Sequence, residues 1–170
     1  MQRIDENHQM EQYFFDRPTV EMLADAVAAA TNPCCLCVPM VARELQARGR
    51  TVALLEADQR FSDLPGFVAY DLYRPQPIAT GFDLILCDPP FNRVLLSQLF
   101  QAIRVLAQGS FAQPLMIAWP VEREAALLGT FAPFGLVPTG VIAGYRSVKK
   151  IPKNQIALYA NTGWTGPNKT

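Results

Sequence analysis

Three short apolar runs in this chain each stop at an acidic residue. Thr51 to Leu55 runs into Glu56, Phe67 to Tyr70 into Asp71, and Phe82 to Cys87 into Asp88. Runs of this length, rich in β-branched and aromatic residues and flanked by turn formers, read as strands buried on both faces. Strands of that kind belong to parallel sheets, whose ligands bind beyond the carboxyl ends of the strands where strand order reverses. The three acids therefore mark one rim, and the chemistry is expected there.

The rest of the chain supplies the alternation such a sheet needs. Asp16-Arg17-Pro18 reads as a helix start, with Val20, Leu23 and Val27 at helical spacing through Ala30 and a stop at Asn32-Pro33. Cys34 to Val38 is a further strand, ended by Pro39, and Val41, Leu45 and Arg48 fit a helix closed by Gly49. Leu95, Leu96, Leu99, Phe100, Ile103 and Leu106 predict an amphipathic helix ending near Gly109. Leu115 to Trp119 reads as a strand and Val121 to Phe131 as a helix. Leu136 to Tyr145 and Gln155 to Asn161 are two more extended runs. The segment between them, RSVKKIPKN, is too short for a helical crossover, so these two should pair antiparallel. The expected fold is α/β: a Rossmann-like, seven-stranded, mostly parallel sheet with an antiparallel C-terminal hairpin and helices on both faces. That arrangement resembles the class I methyltransferase sheet.

At 170 residues the chain suits one domain, expected over 12–161, with a polar N-terminal tail over 1–11 and a C-terminal tail over 162–170. Fifteen basic residues balance fifteen acidic ones, so no long-range field draws the protein to nucleic acid or to an anionic membrane. The opening MQRIDENHQMEQ lacks the apolar core of a signal peptide, and no run is long enough to span a bilayer. A soluble cytoplasmic protein is expected. Cys34, Cys35, Cys37 and Cys87 do not show zinc-site spacing, and the single histidine, His8, is remote in sequence; free cysteines acting as small buried hydrophobes are expected, with no metal. His8 and Trp164 fall in the expected tails and take no functional role.

The most specific stretch is FDLILCDPPFN. Two prolines after Asp88 fix the backbone as it leaves the strand. Such a cradle holds a carboxylate, backbone carbonyls and the Phe91 ring in set positions, which suits an amine whose N–H groups are accepted by Asp88 and a neighbouring carbonyl. The lone pair of that amine is thereby aimed at an incoming methyl group. Glu56 is placed to accept from both hydroxyls of an adenosine ribose, and Asp71 from an exocyclic amine such as that of adenine.

Asp88-Pro89-Pro90-Phe91 resembles motif IV of amino-group methyltransferases, and Gln12-Tyr13-Phe14-Phe15 resembles the N-terminal motif these enzymes place beside the cofactor. Taken with LLEADQRF (54–61) and YDLY (70–73), the chain from Gln12 to Asn161 resembles the probable N6-adenine methyltransferase family, whose eukaryotic members are the elongation factor 1-alpha lysine methyltransferases. The resemblance implies S-adenosyl-L-methionine as cofactor. It implies cofactor contacts from Tyr13, Phe14, Cys37, Glu56, Asp71 and Asp88, and an acceptor site of Asp88, Pro89, Pro90 and Phe91. Cys37-Val38-Pro39 stands where many such folds carry a glycine-rich loop. Asp58 and Arg60 belong to the matched segment without an assigned contact.

Three functions fit these residues. The first is methylation of a protein lysine, with a protein as partner. The second is methylation of adenine N6 in DNA or RNA, with Phe91 or Tyr13 stacking a flipped base and Arg146, Lys149, Lys150 and Lys153 meeting phosphates. The third is a cofactor-binding scaffold without turnover. No membrane partner is expected, and the oligomeric state is open.

Overall fold

The computed structural model describes residues 4–167; the outermost parts of the two expected tails, 1–3 and 168–170, lie outside the described residues. Seven strands form one sheet: β1 (Pro33–Leu36), β2 (Ala53–Glu56), β3 (Phe67–Ala69), β4 (Leu84–Cys87), β5 (Leu115–Pro120), β6 (Val137–Ala143) and β7 (Ile156–Ala160). Their order is β3-β2-β1-β4-β5-β7-β6. The pairs among β1 to β5 are parallel, whereas β7 runs antiparallel to both β5 and β6. The chain thus folds into the expected sheet, and strand order reverses between β1 and β4.

Alternation along each strand splits the core into two layers. Cys35, Leu54, Leu86, Met116 and Ala118 point to one face, where they meet Leu23 and Val27 of α1 (Arg17–Ala28) and Val41 and Leu45 of α2 (Pro39–Ala47). Leu36, Leu55, Ile85, Cys87 and Ile117 point to the other, against Leu99 and Ile103 of α3 (Leu96–Leu106) and Leu127 of α4 (Glu124–Thr130). Cys34, Cys35 and Cys87 are fully buried free thiols, filling the strands as small hydrophobes.

α1 begins where the sequence places it: the Asp16 carboxylate accepts from the Thr19 amide at 3.1 Å, with Pro18 in the first turn. Other boundaries move for physical reasons. β1 ends at Leu36 because Cys37 adopts a left-handed φ of 58°, which breaks the strand before Pro39 opens α2. Leu95 stands outside α3 and exposed. The helix expected from Val121 starts as a 3-10 turn, Val121–Arg123, and becomes α-helical only at Glu124. A 3-10 turn, Gln59–Phe61, follows β2, and its Phe61 side chain is buried in the α1/α2 layer.

The segment ahead of α1 is tied down. The Phe14 amide donates to the Glu6 carboxylate at 2.8 Å, and the His8 ring stacks on Tyr13 with centroids 4.7 Å apart. Residues 14–16 then continue the sheet edge past β6: Asp16 N–H donates to Gly144 C=O, and Arg146 N–H to Phe14 C=O. Near the other end, Trp164 packs on the α1/α2 layer.

Gly66, just before β3, approaches β2 so closely that a Cβ there would sit 1.8 Å from the Val52 carbonyl oxygen. Gly66→Ala should therefore cost about 1–3 kcal/mol, as overpacking does. Gly129 in α4 has open space around it, and Gly129→Ala should gain about 0.5–1 kcal/mol. Urea unfolding of both variants checks the pair; equal midpoints would contradict the close approach.

Candidate active site

The register of the sheet sets the site. Leu36 lies beside Leu55 on one side and Cys87 on the other, so the next residues, Cys37, Glu56 and Asp88, form a row along the carboxyl edge. Backbone bonds hold the row: Cys37 N–H donates to Leu55 C=O at 2.9 Å, Asp88 N–H to Leu36 C=O at 3.2 Å, and Tyr70 N–H to Glu56 C=O at 3.1 Å. This is the point at which strand order reverses, where open sheets bind ligands.

A cavity of about 190 Å³ opens above the row. Every site residue expected from the sequence lines it: Tyr13, Phe14, Cys37, Glu56, Asp71, Asp88, Pro89, Pro90 and Phe91. Asp71 is exposed at its mouth, with one carboxylate oxygen accepting from the Tyr73 amide at 2.9 Å. Glu56 is 8% exposed and accepts from the Asp58 amide at 3.0 Å. Burial pushes its pKa above the ordinary carboxylate range, with the Asp58 and Ala57 amides acting against that.

Asp88 takes a 2.8 Å hydrogen bond from the Tyr145 hydroxyl. Burial drives the Asp88 pKa well up, the Tyr145 bond acts in the opposite direction, and the charge of Glu56 adds to the rise. Burial likewise holds the Cys37 thiol protonated, reinforced by Glu56 and Asp88, so Cys37 is a neutral wall of the cavity and not a thiolate nucleophile.

Several residues complete the site without a signal in the sequence. Tyr145 lies two residues past the end of β6, its ring 4.8 Å from Phe15, and nothing in its sequence neighbourhood announces a partner for Asp88. Glu11, assigned to the polar tail, accepts from both the backbone and the side-chain amide of Asn92, which clamps the N-terminal segment over the Asp88–Phe91 loop. Arg123 donates to the Phe91 carbonyl at 2.9 Å and lies over the Trp119 ring, against which Phe91 packs edge-on at 5.5 Å. Asp58 and Arg60 now have a role. Arg60 pairs with Asp58 at 2.7 Å, and Gln12 bridges both, donating to Asp58 and accepting from Arg60. This network fastens the QYFF motif to the loop after Glu56. The segment Arg146 to Lys153 falls outside the cavity lining.

The sheet order and its acid-lined reversal point define a class I methyltransferase fold. The chain belongs to the family described as Probable N6-adenine methyltransferase, which it matches over residues 6–162. It is similar to EEF1A lysine methyltransferase 1 of Bos taurus, 34% identical over 142 residues covering 74% of this chain and 62% of that one. It is also similar to the Homo sapiens protein of that name, 29% identical over 149 residues covering 76% of this chain and 69% of that one. The chain thus spans less than two thirds of the bovine relative's length. Among solved structures, a S-adenosylmethionine-dependent methyltransferase from Clostridium acetobutylicum shares the fold at a TM-score of 0.58 and 9% identity, over 85% of this chain and 92% of that one. The N-methyltransferase NodS from Bradyrhizobium japonicum does so at 0.55 and 12%, over 86% and 98%.

Tyr145→Phe removes the only side-chain donor to Asp88 among the described residues and should cost about 1–3 kcal/mol. Because the folded-state pKa of Asp88 is raised, ionising it costs stability as pH rises through and above the ordinary carboxylate range. The Tyr145 bond offsets part of that cost, so the deficit of the variant should grow with pH and shrink in acid. Thermal unfolding across pH measures this; a deficit that grows toward low pH would contradict it.

Proposed function

We infer that this chain is an S-adenosylmethionine-dependent N-methyltransferase acting on a lysine amine of a protein. The observation that carries the reading is the pair of carboxylates, Glu56 buried and Asp88 half-buried, on one rim to either side of Cys37 and bonded to a backbone amide and a phenol. An acceptor-rich lining of that kind suits a ligand that brings hydroxyls, amines and positive charge.

The residues fit the cofactor. Glu56 would accept from the ribose hydroxyls and Asp71 from the adenine amine. Tyr13, Phe14 and Cys37 would supply apolar wall, and Asp88 would face the cationic end. When bound, the cofactor supplies a methyl group on a sulfonium, to be passed to a nitrogen. The remaining steps belong to the chain's own residues. Asp88 and a carbonyl of the rigid Pro89-Pro90 segment accept the N–H groups of the amine and set its orientation before reaction. A lysine is protonated at neutral pH, so its proton must leave first. Burial raises the proton affinity of Asp88, which narrows the gap to the arriving ammonium, and the open mouth of the cavity gives the proton a path to water.

A protein acceptor is supported by the lysine methyltransferase relatives and by the state of the two candidate stacking rings. Tyr13 is already stacked on His8, and Phe91 packs edge-on against Trp119. Adenine in nucleic acid would need one of them as a platform. Free thiols at Cys34, Cys35 and Cys87 suit a reducing compartment, and we place the reaction in the cytoplasm.

Calorimetry with S-adenosylhomocysteine tests the roles. Glu56→Ala should weaken binding about tenfold or more. Asp88→Ala should keep most of its binding while methyl transfer falls by about a hundredfold or more. The opposite pattern would overturn the assignment. Labelled cofactor added to a cell lysate tests the acceptor: label in protein is expected, label only in nucleic acid would replace lysine with adenine, and cofactor binding without any transfer would favour the scaffold.

A further inference from the structure

A second cavity, about 410 Å³, lies on the other side of the Tyr145 wall. It is bounded by the start of α1, the end of β6 and the segment 146–155, and no residue named so far as cofactor-binding or catalytic lines it. Tyr145 borders both cavities, so the groove begins one side chain away from Asp88. β6 is the outermost strand of the sheet, and residues 14–16 bridge to the chain just past its end.

The lining has two parts. Met22, Ile142, Val148 and Ile151 make an aliphatic floor, with Ile142 49% and Ile151 37% exposed. Lys149 and Lys150 stand exposed on the rim, and Lys153 and Arg146 belong to the same segment. Asp16 is the one carboxylate among the lining residues; it caps α1 and lies 3.3 Å from the Lys150 ammonium. The groove is therefore apolar below and positive at its edge.

We propose that this groove docks the part of the protein substrate next to the methylated lysine, and that the docked segment is acidic with an aliphatic side chain. The proposal rests on the lysine reading. A lysine reaching Asp88 leaves its neighbours to pass over Tyr145, and the groove is the adjoining space. The rim offers Lys149 and Lys150 to carboxylates, and the exposed isoleucines regain burial under an aliphatic side chain. A phosphate backbone would meet the same lysines. Beneath them, though, it would find aliphatic chains instead of rings for its bases, Tyr145 being 6% exposed.

The test separates docking from catalysis. Fluorescent peptides carrying a lysine, one leucine and flanking glutamates are titrated into the full chain by anisotropy. They are compared with peptides whose glutamates are replaced by lysine, and with a single-stranded RNA of similar length. Wild type should prefer the acidic peptide about tenfold at low salt, and Lys149→Glu/Lys150→Glu should lose or reverse that preference while binding S-adenosylhomocysteine as before. Lys150 also pairs with Asp16, so Lys149→Gln/Lys150→Gln, which adds no like charge there, is run beside it with melting curves and should show an intermediate loss. Equal binding of acidic and basic peptides, or binding unchanged in both folded variants, overturns the groove and leaves the lysine reading to the lysate experiment. RNA binding tighter than any peptide, lost in the same variants, assigns the groove to nucleic acid and overturns it as well. Acid-dependent binding without methyl transfer upholds the groove while counting against the catalytic reading.

Discussion

Two carboxylates drawn out of water at the carboxyl ends of β2 and β4, to either side of Cys37, are the constraint from which the rest of this structure follows. Removing a carboxylate from water is expensive unless donors replace the water. Here the replacements are backbone amides for Glu56 and the Tyr145 phenol for Asp88, and burial still wins, raising both pKa values. The site is thus held in a state that a ligand rich in donors and positive charge relieves. Stability is given up at the place where binding needs it, the usual trade between a folded core and an active site.

That cost explains how much of the chain is spent on holding the rim. Parallel register aligns Cys37, Glu56 and Asp88, and the left-handed turn at Cys37 swings the chain away before Pro39 starts α2. The N-terminal segment then closes one side. It is held at Glu11 by Asn92 and at Gln12 by the Asp58–Arg60 pair, and it joins the sheet edge through Phe15 and Tyr145. Since Tyr145 also bonds Asp88, the same part of the chain that receives the N-terminal segment fixes that carboxylate. Individually the surface pairs in this network are worth little. Together they tie the N-terminal motif to the loop after β2 and to the Asp88–Phe91 loop.

The fold was legible because the central strands β1, β4 and β5 are buried on both faces and so appear as unbroken apolar runs, and because a short hairpin link leaves antiparallel pairing as the one option; the edge strand β3, expected to be buried likewise, is largely exposed. The acids were legible for the same reason: a charged residue that closes an apolar strand stands out, and Glu56, Asp71 and Asp88 all meet at the cavity. What the sequence hid lies at long separation. Tyr145 is 57 residues from Asp88, and Glu11 is 81 from Asn92; neither pairing leaves a local periodicity or a spacing to detect. The positive φ at Cys37 was hidden too, since residues other than glycine seldom adopt it and no side chain advertises it. Phe91 could be read as an aromatic facing a ligand, but its edge-on contact with Trp119, and the Arg123 bond to its carbonyl, depend on β5 and the turn after it.

The basic segment between β6 and β7 shows the same limit from the other side. In the sequence, Arg146, Lys149, Lys150 and Lys153 look like one positive cluster open to any anion. In the structure they divide. Arg146 lies over the Phe14 ring beside the N-terminal segment, while Lys149 and Lys150 edge an aliphatic groove in which Lys150 pairs with the α1 cap. The sign of the charge by itself does not distinguish a phosphate backbone from an acidic peptide, because both offer anions to the same ammonium groups. The surface beneath the charge does: bases need rings to stack on, and peptide side chains need apolar hollows. The hollow here is aliphatic, and a single tyrosine separates it from the carboxylate that would hold the acceptor amine.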